Sequence, residues 1–126
     1  MQDSPAVQAL ALGFVEAFNR GDVDVIAATF LDDDASTVIG QHSDDAAYGR
    51  KAIAALFRSE LGRFRIVADE IHAWERGDVG WLIGRLRYLS DRYEGSELHT
   101  RVSGVVIREH SEWKLVVLHS NLVLDD

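Results

Sequence analysis

Arg85, Arg101 and His119 sit inside runs of β-branched and aromatic residues, where a buried strand has no need of charge. Two guanidinium groups carried on strands could receive a carboxylate or phosphate bidentately, because the planar fork matches both anions. An imidazole, with an ordinary pKa of about 6.5, could give or take a proton near neutrality. The stretch that joins two of these groups runs from Arg101 to Asn121 and reads RVSGVVIREHSEWKLVVLHSN. Two strand-like runs flank Glu109-His110-Ser111-Glu112 in it, the pattern of an antiparallel hairpin. Side chains two apart share a face, which predicts Arg101 and Ser103 beside Val105 and Ile107, and Trp113, Leu115, Val117, His119 and Asn121 along the partner strand. The candidate ligand-binding set is therefore Arg85, Arg101, His119, Ser103 and Asn121 with Tyr48 in reach, and His119 is the best candidate for a catalytic group.

Structural roles compete with each of these. Burying an unpaired guanidinium is costly, so Arg85 and Arg101 must meet water at a pocket mouth, an acid such as Glu70 or Asp69 on a neighbouring strand, or an anionic ligand. A lone histidine on an apolar face is commonly satisfied by a backbone carbonyl, the alternative to acid–base work at His119. His42, Asp44 and Asp45 are spaced neither as a helical two-histidine zinc pair nor as a calcium loop, and Asp32-Asp33-Asp34 reads as a solvated turn. With no cysteine, no glycine-rich phosphate loop and no nucleophile elbow, neither a metal nor a cofactor is expected. Trp81 and Trp113 read as core, and His72, His99 and His110 as surface or mouth residues.

The elements that must position these groups are legible from periodicity. Ser4-Pro5 is a helix start, and Val7, Leu10, Phe14, Ala17 and Phe18 recur at helical spacing up to about Asn19. Gly21 supplies the stop, and Asp22 caps a second, short helix carrying Val25, Ile26, Thr29 and Phe30. Ala35 to Gly40 reads as a short strand, Gln41 to Tyr48 as a polar loop, and Arg50 to Leu61 as a third helix. From there the period is two, which predicts strands over 63–75, 79–90, 99–109 and 113–124 joined by turns at Gly77-Asp78, 91–96 and His110-Ser111-Glu112. Three N-terminal helices followed by sequential strands make an α+β domain with a mainly antiparallel sheet. The strands are apolar on both faces, whereas three helices cover one, so a homodimer through the outer sheet face is expected.

A chain of 126 residues reads as one domain spanning 1–126. Its net charge of -8 argues against nucleic acid, whose phosphates demand clustered cations. No apolar run approaches membrane-spanning length and the N-terminus has no basic leader, so a soluble, cytoplasmic protein without a membrane partner is expected.

Two blocks carry a family resemblance. The segment Ala17-Phe-Asn-Arg-Gly-Asp-Val-Asp-Val-Ile-Ala-Ala-Thr-Phe-Leu-Asp-Asp-Asp34, with Gly49-Arg-Lys-Ala-Ile53 and the Trp113 to Asn121 strand, resembles the SnoaL-like branch of the nuclear transport factor 2-like superfamily. The hairpin from Arg101 to His119 is similar to the last hairpin of the association (hub) domain of calcium/calmodulin-dependent protein kinase II and its bacterial relatives. The resemblance implies a cystatin-like cone, a curved sheet wrapped around helices with a pocket between, and dimerisation through the convex sheet. It also implies that Arg85 and Arg101 line that pocket, as arginines of the hub domain do for small carboxylates. Ketosteroid isomerase, in the same superfamily, places an aspartate base near the position of Val38 and Ile39, where this chain has no acid. The expected function is binding of a small, anionic, carboxylate-bearing molecule in an Arg/His-lined pocket. Two alternatives stay open: a SnoaL-like enzyme doing general acid–base chemistry of isomerase, cyclase or hydrolase type, and a non-catalytic dimerisation module.

Overall fold

Ser4 and Pro5 start the first helix as their order predicts: the Ser4 hydroxyl accepts a hydrogen bond from the Val7 amide at 3.2 Å, and α1 spans Pro5–Arg20. The computed structural model describes residues 1–40, 46–90 and 97–123. Gly21 ends α1 at φ 75°, a left-handed conformation that costs glycine least, and Asp22 caps α2, Val23–Thr29, by accepting from the Val25 amide at 3.1 Å. Two cations cap the exposed carbonyls at the far end of α2. Arg50 Nε donates to Phe30 O at 2.9 Å, and Lys114 Nζ donates to Ala28 O at 2.8 Å. Arg50 also opens α3, Arg50–Glu60.

The strands are β1, Gln2–Asp3; β2, Thr37–Ile39; β3, Ala46–Tyr48; β4, Arg65–Arg76; β5, Val79–Leu89; β6, Glu97–Glu109; and β7, Glu112–Leu122. They form one sheet in the order β1-β4-β5-β6-β7-β2-β3, antiparallel throughout except where β2 runs parallel to β7. This is the expected α+β class with one correction: the helices do not all precede the strands. β1 comes before α1, and between α2 and α3 the expected strand, β2, is joined by β3, in a stretch expected to be loop. Strands of two or three residues are too short to show alternation, and pairing through backbone groups needs none, so Gln2–Asp3 and Ala46–Tyr48 left no pattern to read. His42, Asp44 and Asp45 lie outside the described residues.

Helices α1 and α3 cover one face of the sheet, and that face decides every side chain's fate. On β5 it carries Gly80, Leu82, Gly84, Leu86 and Tyr88, and on β6 Thr100, Val102, Gly104 and Val106. Glycine at 80 is a packing requirement, since a Cβ there would stand 2.8 Å from Val106 Cγ2 and 2.9 Å from the Trp74 carbonyl oxygen. Val7, Ile26, Phe30, Ile53 and Val106 lie in this core at 0% exposure.

The facing of β7 corrects the sequence expectation. Val105 pairs with Val117 but Val106 pairs with Leu115, so Val116 is an extra residue, a β-bulge. One inserted residue reverses the alternation. Leu115, 2% exposed, and Trp113 therefore face the helices, while Val117, His119 and Asn121 face outward.

Candidate functional site

Between α1, α3 and the inner sheet face lies a cavity of about 480 Å³. Helix α1 contributes Phe14 and Phe18, α3 contributes Phe57, and the sheet contributes Tyr88, with Phe64 at the rim. The rings brace one another. Phe14 and Phe57 meet edge to face at 5.3 Å, and Phe18 stacks on Tyr88 at 6.4 Å. Asn19 fixes the mouth by clamping the start of β4, donating to Ile66 O at 2.8 Å and accepting from the Ile66 amide at 2.7 Å.

Polar groups on this wall are few. Thr100 spends its hydroxyl on the Leu86 carbonyl at 3.4 Å, while Ser120 and Tyr88 also line the space. The Tyr88 hydroxyl has no hydrogen-bond partner among the described residues. Burial first, and the Glu60 negative charge second, push this phenol up to about 12, so it stays protonated and is a hydrogen-bond donor across the physiological range. Glu60 and Arg63 are the charged residues on the wall among the described residues. Such a site can orient one acceptor oxygen toward Tyr88, with Glu60 as the carboxylate within its field.

None of the six residues expected to bind ligand lines this cavity. Arg85, Arg101, Ser103, His119 and Asn121 are brought together, but on the opposite, outer face, where with Glu70 and His72 they border a shallower groove of about 490 Å³. Tyr48 is 65% exposed on β3 and lines neither space. The physical reason is solvation: outward-facing guanidinium groups stay in water, whereas the inward positions of the same strands are taken by leucine, valine and glycine. The expected acid partners are divided differently as well. Asp69 goes to Arg87, whose Nε donates to both carboxylate oxygens at 3.0 and 2.8 Å, and holds the Asp69 carboxyl below its ordinary value. Glu70 lies 3.9 Å from Arg85 but is bound by His72 at 2.6 Å, and the histidine contact is the larger cause of its lowered pKa.

Sequence reading passed over Tyr88, Thr100 and Ser120. A signal existed for Tyr88, which continues the alternation of Leu82 and Leu86 and so shares their buried face.

The sequence pattern of the SnoaL-like domain matches residues 7–125. The chain belongs to the SnoaL-like domain family. Solved structures agree in fold. A protein from Nostoc punctiforme with a cystatin-like fold and unknown function superposes with a TM-score of 0.81 at 17% identity, covering 98% of this chain and 96% of that one. A protein from Thiobacillus denitrificans, provisionally assigned as a calcium/calmodulin-dependent protein kinase type II association domain, gives 0.79 at 26% identity, with 95% and 97% covered. An NTF2-like protein of unknown function from Pseudomonas putida gives 0.78 at 18% identity, with 94% and 85% covered. No sequence among curated proteins matches the chain. The SnoaL-like fold of this chain comprises, among the described residues, three helices and a seven-stranded, mostly antiparallel sheet. No helix among the described residues is long and apolar enough to cross a membrane.

Proposed function

We propose that this SnoaL-like domain binds a small, mainly apolar, uncharged molecule in the cone cavity, with one acceptor oxygen of the ligand on the Tyr88 hydroxyl. The observation that carries this reading is the protonated phenol of Tyr88, half-buried and without a hydrogen-bond partner among the described residues, set among the rings of Phe14, Phe18 and Phe57 in about 480 Å³. The hydroxyl keeps its donor free for a ligand carbonyl or ether oxygen, and such a hydrogen bond is stronger against an apolar wall than in water. The volume falls within the range of small-molecule sites. A carboxylate-bearing ligand has little to recommend it in this cavity, where Arg63 is the cation on the wall and the Glu60 charge opposes an anion.

The test is a thermal-shift screen with neutral aromatic and alicyclic ketones. At least one raises the melting temperature of the wild type, Ser120→Phe, which fills the cavity from β7, loses the effect, and Arg101→Ala keeps it. If simple carboxylates stabilise the protein through this cavity and no neutral ketone does, the reading is wrong. We also propose a homodimer through the outer sheet face. It is supported by the in-register row Trp74, Trp81, Val105 and Val117 and by Ile83 and Val79, which are 46% and 47% exposed beside it.

A further inference from the structure

Past its bulge, β7 turns Leu118, Ser120 and Leu122 toward the helices, and Ser120 lines the cone cavity. A serine buries less apolar surface than the leucines on either side of it, so packing alone does not explain its place on this wall. Thr100, the nearby alcohol, is bonded to the Leu86 carbonyl, whereas the Ser120 hydroxyl has no hydrogen-bond partner among the described residues. The wall thus carries two uncommitted hydroxyls, those of Tyr88 and Ser120. Strand register gives their separation. Tyr88 pairs with Leu98 and Ser120 with Val102, which puts them on opposite sides of β6 and four residues apart along it. At about 3.3 Å per residue and about 4.8 Å between strands, their Cα atoms are about 16 Å apart. The Tyr88 ring takes up part of that span where it reaches into the cavity, which leaves on the order of 10 Å between the two oxygens. Leu98, Thr100 and Val102 fill the diagonal between them, offering carbon and one hydroxyl already engaged.

We propose that Ser120 is the second anchor of the cone cavity, and that the molecule held there is an elongate, neutral compound of at least two rings with an oxygen at each end. Given the cavity reading above, on which this rests, Tyr88 donates to one oxygen, and Ser120, donor and acceptor both, takes a hydroxyl or a carbonyl at the other. A single six-membered ring is too short to bridge the two hydroxyls, and two linked or fused rings reach across. The cavity of about 480 Å³ has room for them. A shorter ketone still engages Tyr88 but leaves Ser120 unpaired, so the wall selects by length as well as by polarity.

Isothermal titration with two probes compares one oxygen with two on the same frame: a cyclohexanone bearing a phenyl ring opposite its carbonyl, and the same compound with a hydroxyl at the far end of the phenyl ring. The wild type is expected to bind the hydroxylated probe about fivefold more tightly, the worth of one hydrogen bond. Ser120→Ala, which removes the hydroxyl and keeps the space, abolishes that advantage. Tyr88→Phe weakens both probes, and Arg101→Ala on the outer face leaves their ratio as it is. Equal binding of the two probes by the wild type overturns the assignment of Ser120 and leaves the Tyr88 reading standing, as does an advantage that survives Ser120→Ala. If neither probe binds while cyclohexanone itself does, the length requirement alone is wrong. If no ketone binds, both readings fall together.

Discussion

At the scale of single residues, the polar feature of the cone is a phenol that no described protein atom satisfies. Tyr88→Phe is expected to leave the fold intact and to weaken ketone binding by about tenfold, measured by calorimetry. The same substitution has a signature without ligand. The folded pKa lies near 12 against an ordinary 10.0, so stability is fully present below the ordinary value and is lost as pH rises toward the folded one. Tyr88→Phe should flatten that alkaline limb in urea unfolding followed as a function of pH. Ser4 is a second residue with two duties, accepting from the Val7 amide and donating to Glu75 Oε2 at 2.6 Å. Ser4→Ala should cost about 1 kcal/mol in denaturant unfolding through the lost helix cap. The Ser4 hydrogen bond is also the leading cause that holds the Glu75 carboxyl below its ordinary 4.5. That contribution is present above the ordinary value and fades as pH falls through the depressed one, so Ser4→Ala should also blunt the acid-side loss of stability.

At the scale of elements, the hairpin from β6 to β7 carries both a strain and a surprise. His110 and Ser111 turn it at φ 52° and 66°, a left-handed pair that suits a two-residue turn but penalises side chains with a Cβ. Replacing them by Asn-Gly should stabilise the protein by about 1 kcal/mol, read from the denaturation midpoint at unchanged slope. The surprise is Val116. Its bulge separates Trp113 and Leu115 from Val117 and His119, which unbroken alternation had put together. A run such as Trp-Lys-Leu-Val-Val-Leu-His contains apolar residues at both parities, so the run itself does not reveal where an extra residue is inserted. By contrast the helix limits were legible, because Ser4, Pro5, Gly21 and Asp22 act on the backbone within one turn of where they stand.

At the scale of the whole molecule, one sheet face is covered by helices and the other is not. Ile83, 46% exposed, and Val105, 37% exposed, lie beside Trp81 on the uncovered face. If that face binds a second copy, multi-angle light scattering at micromolar concentration gives a dimer mass for the wild type. Ile83→Lys should then give a monomer with unchanged circular dichroism, because a charge at the centre of an isologous contact meets itself across the two-fold axis. A wild type that runs as a monomer would remove the dimer from the account.

Local chemistry determined the caps, the turn at Gly77, the long central strands and the family, since each is written in neighbouring residues or in a repeating period. Which strand face became the cavity wall was decided only in three dimensions. Arg101 and Val102 are adjacent in sequence and equally at home in a strand, yet one is exposed on the outer face and the other is 8% exposed beneath the helices. That choice follows from the competition between two whole faces for the helices. The face bearing leucine, valine and close-packing glycine won, because burying the other would have taken Arg85 and Arg101 out of water without partners.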